Sequence, residues 1–160
     1  MTMIIHCETG DVVVVDGDTL VGAALSGKNL HRALLGGQVL QGADLSGSEL
    51  RSAWLEGAKL ERANLSRASL AACNASRASF AGAILTDTMM RCGIFVGADF
   101  SGANLRGANV GYARLEGALL NGADMRCEGL EVAFLKGAMA DSTTLWPEGF
   151  DPTRYGVIMA

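Results

Sequence analysis

The 160-residue sequence predicts an all-β solenoid, and three regularities with a period of five support this prediction. Every fifth residue from Leu20 to Phe150 is apolar, which makes 27 positions in one unbroken register. Two residues before this register, 17 of the 24 positions from Ala23 to Ala138 are alanine. Two residues after it, the positions from Gly22 to Gly137 hold 13 of the 21 glycines. The repeating unit is therefore a small residue, any residue, a large apolar residue, a polar residue and glycine.

The five-residue period is incompatible with an amphipathic helix. At 3.6 residues per turn, each step would carry the large residue about 140° around the helix axis, so no face would be apolar. In a strand, residues two apart point to the same side, so Ala63 and Leu65 face inward while Asn64 faces outward. The remaining two residues, Ser66 and Arg67, must then turn the chain. Short extended segments joined by tight corners predict a solenoid with stacked leucines inside.

The repeat units resemble those of the pentapeptide-repeat family. The resemblance covers roughly residues 18 to 150 and is clearest in four units: Ala43 to Gly47, Ala63 to Arg67, Ala98 to Gly102 and Ala103 to Gly107. It implies a right-handed quadrilateral β-helix with four repeats, or twenty residues, in each coil. The family's members differ widely in function, so the resemblance implies the fold and leaves the activity open.

Both ends of the chain depart from the repeat and are expected to cap the solenoid. We assign residues 1–17 to an N-terminal β cap, 18–145 to a β-helix of about six to seven coils, and 146–160 to a C-terminal cap and tail. Trp146 and Phe150 belong to a Trp-Pro-Glu-Gly-Phe-Asp-Pro segment that resembles the tail of many family members, and they are predicted to cover the last leucines. The apolar residues after them predict either a fold onto the cap or a dimer contact.

The large and small registers together predict the core. Its expected members include Leu45, Leu65, Phe80, Phe95, Phe100 and Leu105. Ala75 leaves a gap that Phe95 is expected to fill, because the small residue before that phenylalanine is Gly93. Three residues in the small register are too polar for a dry core and predict bulges or outward rotation: Lys28, Gln38 and Glu128.

Stacking of residues twenty apart predicts one unusually apolar outer wall. The residues that precede the large position form what we call the Trp54 column: Leu34, Trp54, Asn74, Ile94, Arg114 and Phe134. A neighbouring corner row contains His31, Arg51, Ala71 and Arg91. Exposed apolar side chains in a row are typical of contact surfaces. We therefore predict a candidate interaction surface composed of Leu34, Trp54, Ile94, Phe134, Arg51 and Arg91.

The sequence contains no recognisable motif for catalysis, cofactor binding or metal binding. Its four cysteines, Cys7, Cys73, Cys92 and Cys127, lack the paired spacing of zinc sites, and we expect reduced structural thiols. Cys73 falls in the inward register, whereas Cys92 and Cys127 fall at corners. No apolar span is long enough for a transmembrane helix and no secretion signal is recognisable, so we expect a cytoplasmic protein.

Charge separates the functional hypotheses. The net charge of −4 divides into −4 for residues 1–19, +2 for residues 20–140 and −2 for the tail. Scattered basic residues and an isoelectric point near 5.1 argue against nucleic-acid binding. The leading hypothesis is a non-enzymatic scaffold that contacts another protein or itself. The resemblance implies one alternative, a DNA mimic that protects DNA gyrase or another type II topoisomerase from quinolones or toxins, but such mimicry requires a strongly negative rod.

Overall fold

The structure is a computed structural model that describes all of residues 1–160. A long solenoid of single-residue β-bridges lies between two short sheets. The named strands are β1 (Thr2–His6), β2 (Val12–Asp16), β3 (Met139–Ala140) and β4 (Ile158–Met159). Two 3-10 turns occupy Leu130–Val132 and Pro152–Tyr155. No helix has the length and apolar character needed to cross a bilayer.

Between the two sheets, the outward residues pair in parallel with residues of the next coil, and all but two of these pairs are twenty positions apart. Four such ladders run along the molecule, and they begin at Ala24, Asn29, Leu34 and Val39. Four ladders in twenty residues make four walls for each coil, as the family resemblance implies. The right-handed sense of winding and the assigned domain boundaries stay predictions.

The corners explain the glycine register. After Leu45, the N–H of Ser48 donates to the carbonyl of Leu45 at 3.1 Å, and Gly47 between them has a φ of +62°. A positive φ at the third residue is typical of a type II turn and favours glycine. Nine corners adopt the same φ, between +55° and +58°, without glycine: Arg32, Ser52, Arg62, Arg67, Ala72, Arg77, Asp87, Cys92 and Tyr112.

The core is a continuous column of large and small residues. The six predicted core members, Leu45, Leu65, Phe80, Phe95, Phe100 and Leu105, are all fully buried. Three of them form an aromatic cluster, in which the Phe80 and Phe100 rings stack at 4.9 Å and Phe95 meets both edge to face. Residues from successive coils therefore pack as one interior.

The compensation predicted around Phe95 is present. A Cβ atom at Gly93 would lie 2.5 Å from Cε2 of Phe95, far inside van der Waals contact. The ring therefore occupies the space that an alanine would need at this position. Ala75, one coil earlier, is fully buried, and its N–H bonds to the carbonyl of Ile94 at 2.7 Å. A small residue on the preceding coil and a glycine beside the ring together accommodate the phenylalanine.

The assignment of Cys127 to a corner is wrong. Glu128 pairs with Asn109, which is 19 rather than 20 residues earlier, so the corner after Asp124 is one residue short. Cys127 consequently takes the inward small position and is buried, while Glu128 points outward as expected. The 3-10 turn at Leu130–Val132 restores the missing residue before Phe134.

The prediction that the residues of the apolar register face inward as far as Phe150 is also wrong. Leu145 pairs with Asp124, 21 residues earlier, because the corner after Met139 contains one extra residue. Leu145 therefore faces outward and is 47% exposed, whereas Thr144 is buried in the small position. Trp146 follows at the position of a large core residue and is half-buried.

Lys28 and Gln38 are exposed, as expected, but without bulges. The ladder pairs beside them, Asn29 with Glu49 and Val39 with Lys59, keep the twenty-residue spacing. Both residues belong to the first coil, which has no coil beneath it. Their side chains can therefore reach solvent at this end of the solenoid without any change in the backbone.

Additional strands lie at both ends of the solenoid. β1 and β2 pair antiparallel, and the end of β1 pairs with the first coil through an antiparallel bridge from Cys7 to Ala33. β4 pairs in parallel with β3 and adds one strand to the opposite end. Beside it, the Trp146, Phe150 and Tyr155 rings form a stack, with centroids 5.4 and 4.8 Å apart.

Candidate interaction surface

The Trp54 column exists as one uninterrupted ladder. Parallel bridges join each of its six members to the next, from Leu34 to Phe134. Leu34 is 48% exposed, Trp54 44% and Phe134 52%, while Ile94 is half-buried. The N–H of Leu34 also donates to the carbonyl of His6 at 2.8 Å, so the N-terminal hairpin continues the same wall. This wall is a sheet with an added hairpin at its edge, and its apolar outer side chains are interrupted by Asn74 and Arg114.

A cavity of about 410 Å³ lies against the middle of the Trp54 column. Its lining residues are Glu8, Arg32, Ser52, Ala53, Trp54, Ala72, Asn74 and Ile94. The indole and the isoleucine supply apolar surface, whereas Glu8, Arg32 and Asn74 supply polar groups. This combination of apolar lining with a few polar groups is typical of binding sites.

The hairpin brings an acidic side chain to the cavity. Arg32 donates from Nε and Nη2 to Oε2 of Glu8, at 2.9 and 2.7 Å. The hydrogen bonds from Arg32, and secondarily the nearby Trp54 indole, hold the pKa of Glu8 below its ordinary value. Glu8 therefore links the hairpin to Arg32 of the first coil, and both side chains line the cavity together with Trp54.

Small corner residues open the groove beside Trp54. Along this corner, the positive-φ positions of successive coils are Arg32, Ser52, Ala72, Cys92 and Tyr112. Ser52 and Ala72 line the cavity, and neither is long enough to cover the neighbouring wall. Arg32 closes one end of this stretch. The cavity therefore lies where two adjacent coils have short side chains at the corner.

The four apolar residues of the predicted surface divide into three groups. Trp54 and Ile94 line the cavity, and Leu34 lines a separate cavity of about 280 Å³ beside β1. Phe134 lies two rungs beyond Ile94, on the far side of Arg114.

The predicted basic border does not line the groove. Arg51 is exposed and its carbonyl accepts a hydrogen bond from Nδ1 of His31, with the two atoms 2.8 Å apart. Arg91 lies over the Tyr112 ring, 5.3 Å from its centroid. The basic group at the cavity is instead Arg32, one position after the row that the sequence analysis selected.

Sequence reasoning also missed Glu8, Ser52 and Ala72. A period-twenty comparison of the corner residues could have revealed the two short side chains. Nothing in the local sequence around Glu8 indicates its position, because that depends on how the hairpin packs against the first coil.

The titratable side chains form no cluster of metal ligands, since no three histidine, cysteine or acidic side chains converge to hold an ion. Burial raises the pKa of the Cys73 and Cys127 thiols to about 12, so both are protonated at neutral pH. The arrangement at the Trp54 cavity can bind a side chain through apolar contact and hydrogen bonds.

Comparison with known proteins assigns the family. A family model described as pentapeptide repeats matches eight copies, over residues 29–67, 63–102 and 98–127. HetL, a solved pentapeptide-repeat protein involved in heterocyst differentiation regulation in the cyanobacterium Nostoc sp. strain PCC 7120, is 36% identical with a TM-score of 0.65. The alignment covers 75% of this chain and 55% of HetL, so this chain spans about half of that protein.

Other solved structures match with lower identity and lower TM-scores. A second Nostoc pentapeptide-repeat protein is 29% identical, with 73% and 84% of the two chains covered and a TM-score of 0.45. QnrB1, a plasmid-mediated fluoroquinolone resistance protein, is 20% identical, with 86% and 91% covered and a TM-score of 0.36. Curated proteins include no match. The family match spans more than half of the sequence, and the chain is a member of the pentapeptide-repeat family.

Proposed function

We propose that this protein is a non-enzymatic scaffold that binds another protein through the Trp54 column. The observation that carries the proposal is the cavity of about 410 Å³ between Trp54, Ile94 and the Glu8–Arg32 ion pair. The groove has an apolar floor and a charged end, which suits a partner side chain with an apolar body and a polar tip. The surrounding coils would supply a rigid support for this contact.

The distribution of exposed apolar side chains supports this choice of wall. Trp54 is the largest of them, and tryptophan is enriched among residues that dominate binding energy at interfaces. The other walls also expose large apolar residues, such as Ile84 and Met89, but neither lines a cavity. Isolated exposed hydrophobic residues are normal on protein surfaces. The combination of an exposed aromatic ring with a polar-ended groove distinguishes the Trp54 column.

A non-catalytic regulatory role is consistent with one relative. HetL is described as involved in the regulation of heterocyst differentiation, and it shares the repeat fold with this chain. We propose regulation by protein contact as the mode of action here. The partner is identified only by the groove that it must fill.

The alternative of a topoisomerase-protecting DNA mimic has less support from the charges. Duplex DNA carries about one negative charge per 1.7 Å of axis, whereas residues 20–140 have a net charge of +2. Several acids are also paired with neighbouring arginines: Glu56 with Arg77, Glu116 with Arg114, and Asp124 with Arg126. A wall with mixed charges is a poor imitation of a polyanion.

Affinity capture with two matched double variants tests the scaffold proposal. The first variant combines Trp54→Asp with Ile94→Asp, and the control combines Ile84→Asp with Met89→Asp on two other walls. Quantitative mass spectrometry of proteins captured from the source cells should show one or more partners that bind the wild type and the control but not the first variant. Identical partner lists for all three proteins would contradict the proposal.

A further inference from the structure

β2 is the outermost strand of the N-terminal hairpin, and one of its edges is free. Hydrogen bonds from Cys7 N–H to Asp11 C=O and from Gly17 N–H to Met1 C=O flank the pairing of β1 with β2. In an antiparallel pair, hydrogen-bonded residues alternate, so the odd-numbered residues of β2 bond to β1. The backbone N–H and C=O groups of Val12, Val14 and Asp16 consequently point away from β1, and no other group in the structure pairs with them.

The free edge has the chemistry of a strand-docking site. Its outward side chains include Val12, which is 51% exposed, and Val14, which is 57% exposed. Ile4 lies opposite Val14 on β1 and is also exposed. A partner strand could therefore form main-chain hydrogen bonds with β2 and place apolar side chains beside these residues.

Charges at the ends of β2 select the partner. Residues 1–19 contain four acids and no lysine or arginine. Two of these acids have cationic partners, because Glu8 pairs with Arg32 and Asp18 lies 3.7 Å from the N-terminal amine. Asp11 and Asp16 have no such partner and lie on either side of the valine run. Five residues of extended chain place them about 17 Å apart.

A second copy of this chain is a poor occupant of the edge, because its own β2 carries the same two aspartates, Asp11 and Asp16. Antiparallel pairing of two β2 strands about Val14 would bring Asp16 of each copy near Asp11 of the other. Parallel pairing would place each aspartate beside its equivalent. Like charges on adjacent strands destabilise the pair, so the edge favours a basic partner over self-association.

We propose that β2 binds an extended segment of a partner protein with apolar residues at alternate positions and lysine or arginine at both ends. This surface differs from the Trp54 cavity, and the two can be tested separately. Binding would extend the sheet formed by β2, β1 and the Trp54 column by one strand.

The test uses the full-length protein and a fluorescent nine-residue peptide of alternating threonine and valine with lysine at both ends. Val14→Pro removes the donor at the centre of the free edge, whereas the matched control Val14→Thr keeps it. We expect saturable binding to the wild type and the control in fluorescence anisotropy, and binding at least about tenfold weaker to Val14→Pro. Equal binding by the two variants, or no binding to the wild type, would overturn the proposal.

A charge variant keeps the test informative if proline disturbs the hairpin. Asp16→Lys should weaken binding of the lysine peptide and strengthen binding of a matched peptide with glutamate at both ends. The preference of the wild type for the lysine peptide should fall as salt increases. Light scattering tests the alternative that a second copy of this chain occupies the edge. A wild-type dimer that dissociates in the Val14→Pro variant would show self-association through β2 and would contradict the proposal.

Discussion

Successive rungs from Asp44 to Asn104 lie twenty residues apart, whereas the rungs that end at Glu128 and Leu145 lie 19 and 21 residues from their partners. In the middle of the solenoid, every coil is hydrogen-bonded on both sides. An added or missing corner residue there would disturb two neighbouring coils. The last coil has a neighbour on only one side along most of its length, and it tolerates repeat units of four and six residues. The requirement for a uniform repeat therefore comes from stacking on both sides.

The largest expected contrast compares two leucines in the same sequence register. Leu65 is fully buried between coils, whereas Leu145 is half exposed after the register changes. Leu65→Ala should lower the free energy of unfolding by about 2 to 5 kcal/mol, because it leaves a cavity. Leu145→Ala should lower it by less than about 1 kcal/mol. Urea denaturation of both variants measures the difference, and equal losses would show that the register does not change where the structure places it.

The next contrast concerns two glycines with negative φ. A Cβ at Gly93 would lie 2.5 Å from the Phe95 ring, whereas one at Gly36 would lie 3.6 Å from the carbonyl oxygen of Glu56. Gly93→Ala should therefore destabilise the protein by about 1 to 3 kcal/mol. Gly36→Ala should leave stability unchanged or raise it by up to about 1 kcal/mol. Thermal unfolding of the pair tests whether Phe95 fills the core as described, and an unchanged melting temperature in Gly93→Ala would argue against it.

A third variant tests the same packing from the preceding coil. Ala75 is fully buried and lies one coil before Phe95, so we expect Ala75→Leu to find no empty space for its added atoms. We expect the variant to be no more stable than the wild type, in contrast to a true cavity, where added methyl groups would stabilise. A clear rise in its melting temperature would contradict the compensation between Ala75, Gly93 and Phe95.

The smallest expected effect is a pH dependence of the free energy of unfolding that comes from Asp44, beside one corner. Ser46 donates from its hydroxyl, at 2.6 Å, and from its N–H to the Asp44 carboxylate, and these bonds lower the pKa of Asp44 in the folded state. The resulting stabilisation is present above the unfolded pKa of about 3.9 and is lost as pH falls through the lower folded value.

Asp44→Asn supplies the matched variant, because Asn64 holds the equivalent place in the next coil and also accepts from its following serine. The stability difference between wild type and variant should change between pH 5 and pH 2, with the wild type losing more. Urea titrations at several pH values measure it. Parallel pH profiles of stability for the two proteins would show that the Asp44 carboxylate does not contribute to the pH dependence.

Sequence periodicity predicts the middle of the molecule well because one rule determines it. The inward direction of Leu65, the outward direction of Trp54 and the positive φ at Gly47 all follow from the five-residue unit. Cys127 and Leu145 depart from that rule because a change in corner length leaves no mark in the apolar register. The burial of each residue there depends on hydrogen bonds to the preceding coil.

The candidate site was only partly predictable for a related reason. Stacking at twenty residues predicts that Trp54 and Ile94 share a wall, and they line one cavity. Glu8 and Arg32 complete that cavity because the hairpin pairs antiparallel with the first coil. This pairing has no periodic signal, so the charged end of the groove is visible only in the structure.

Residue-resolved amide hydrogen exchange tests the central claim that stacking on both sides holds the middle coils while the outer strand edge is unpaired. The Leu65 amide donates to Ile84 and the Leu85 amide to Asn104, both at 2.7 Å, so both should exchange only through global unfolding. The Val12 and Val14 amides should exchange close to the rate of an unstructured chain. Rapid exchange at Leu65 and Leu85, or strong protection at Val12 and Val14, would contradict this account.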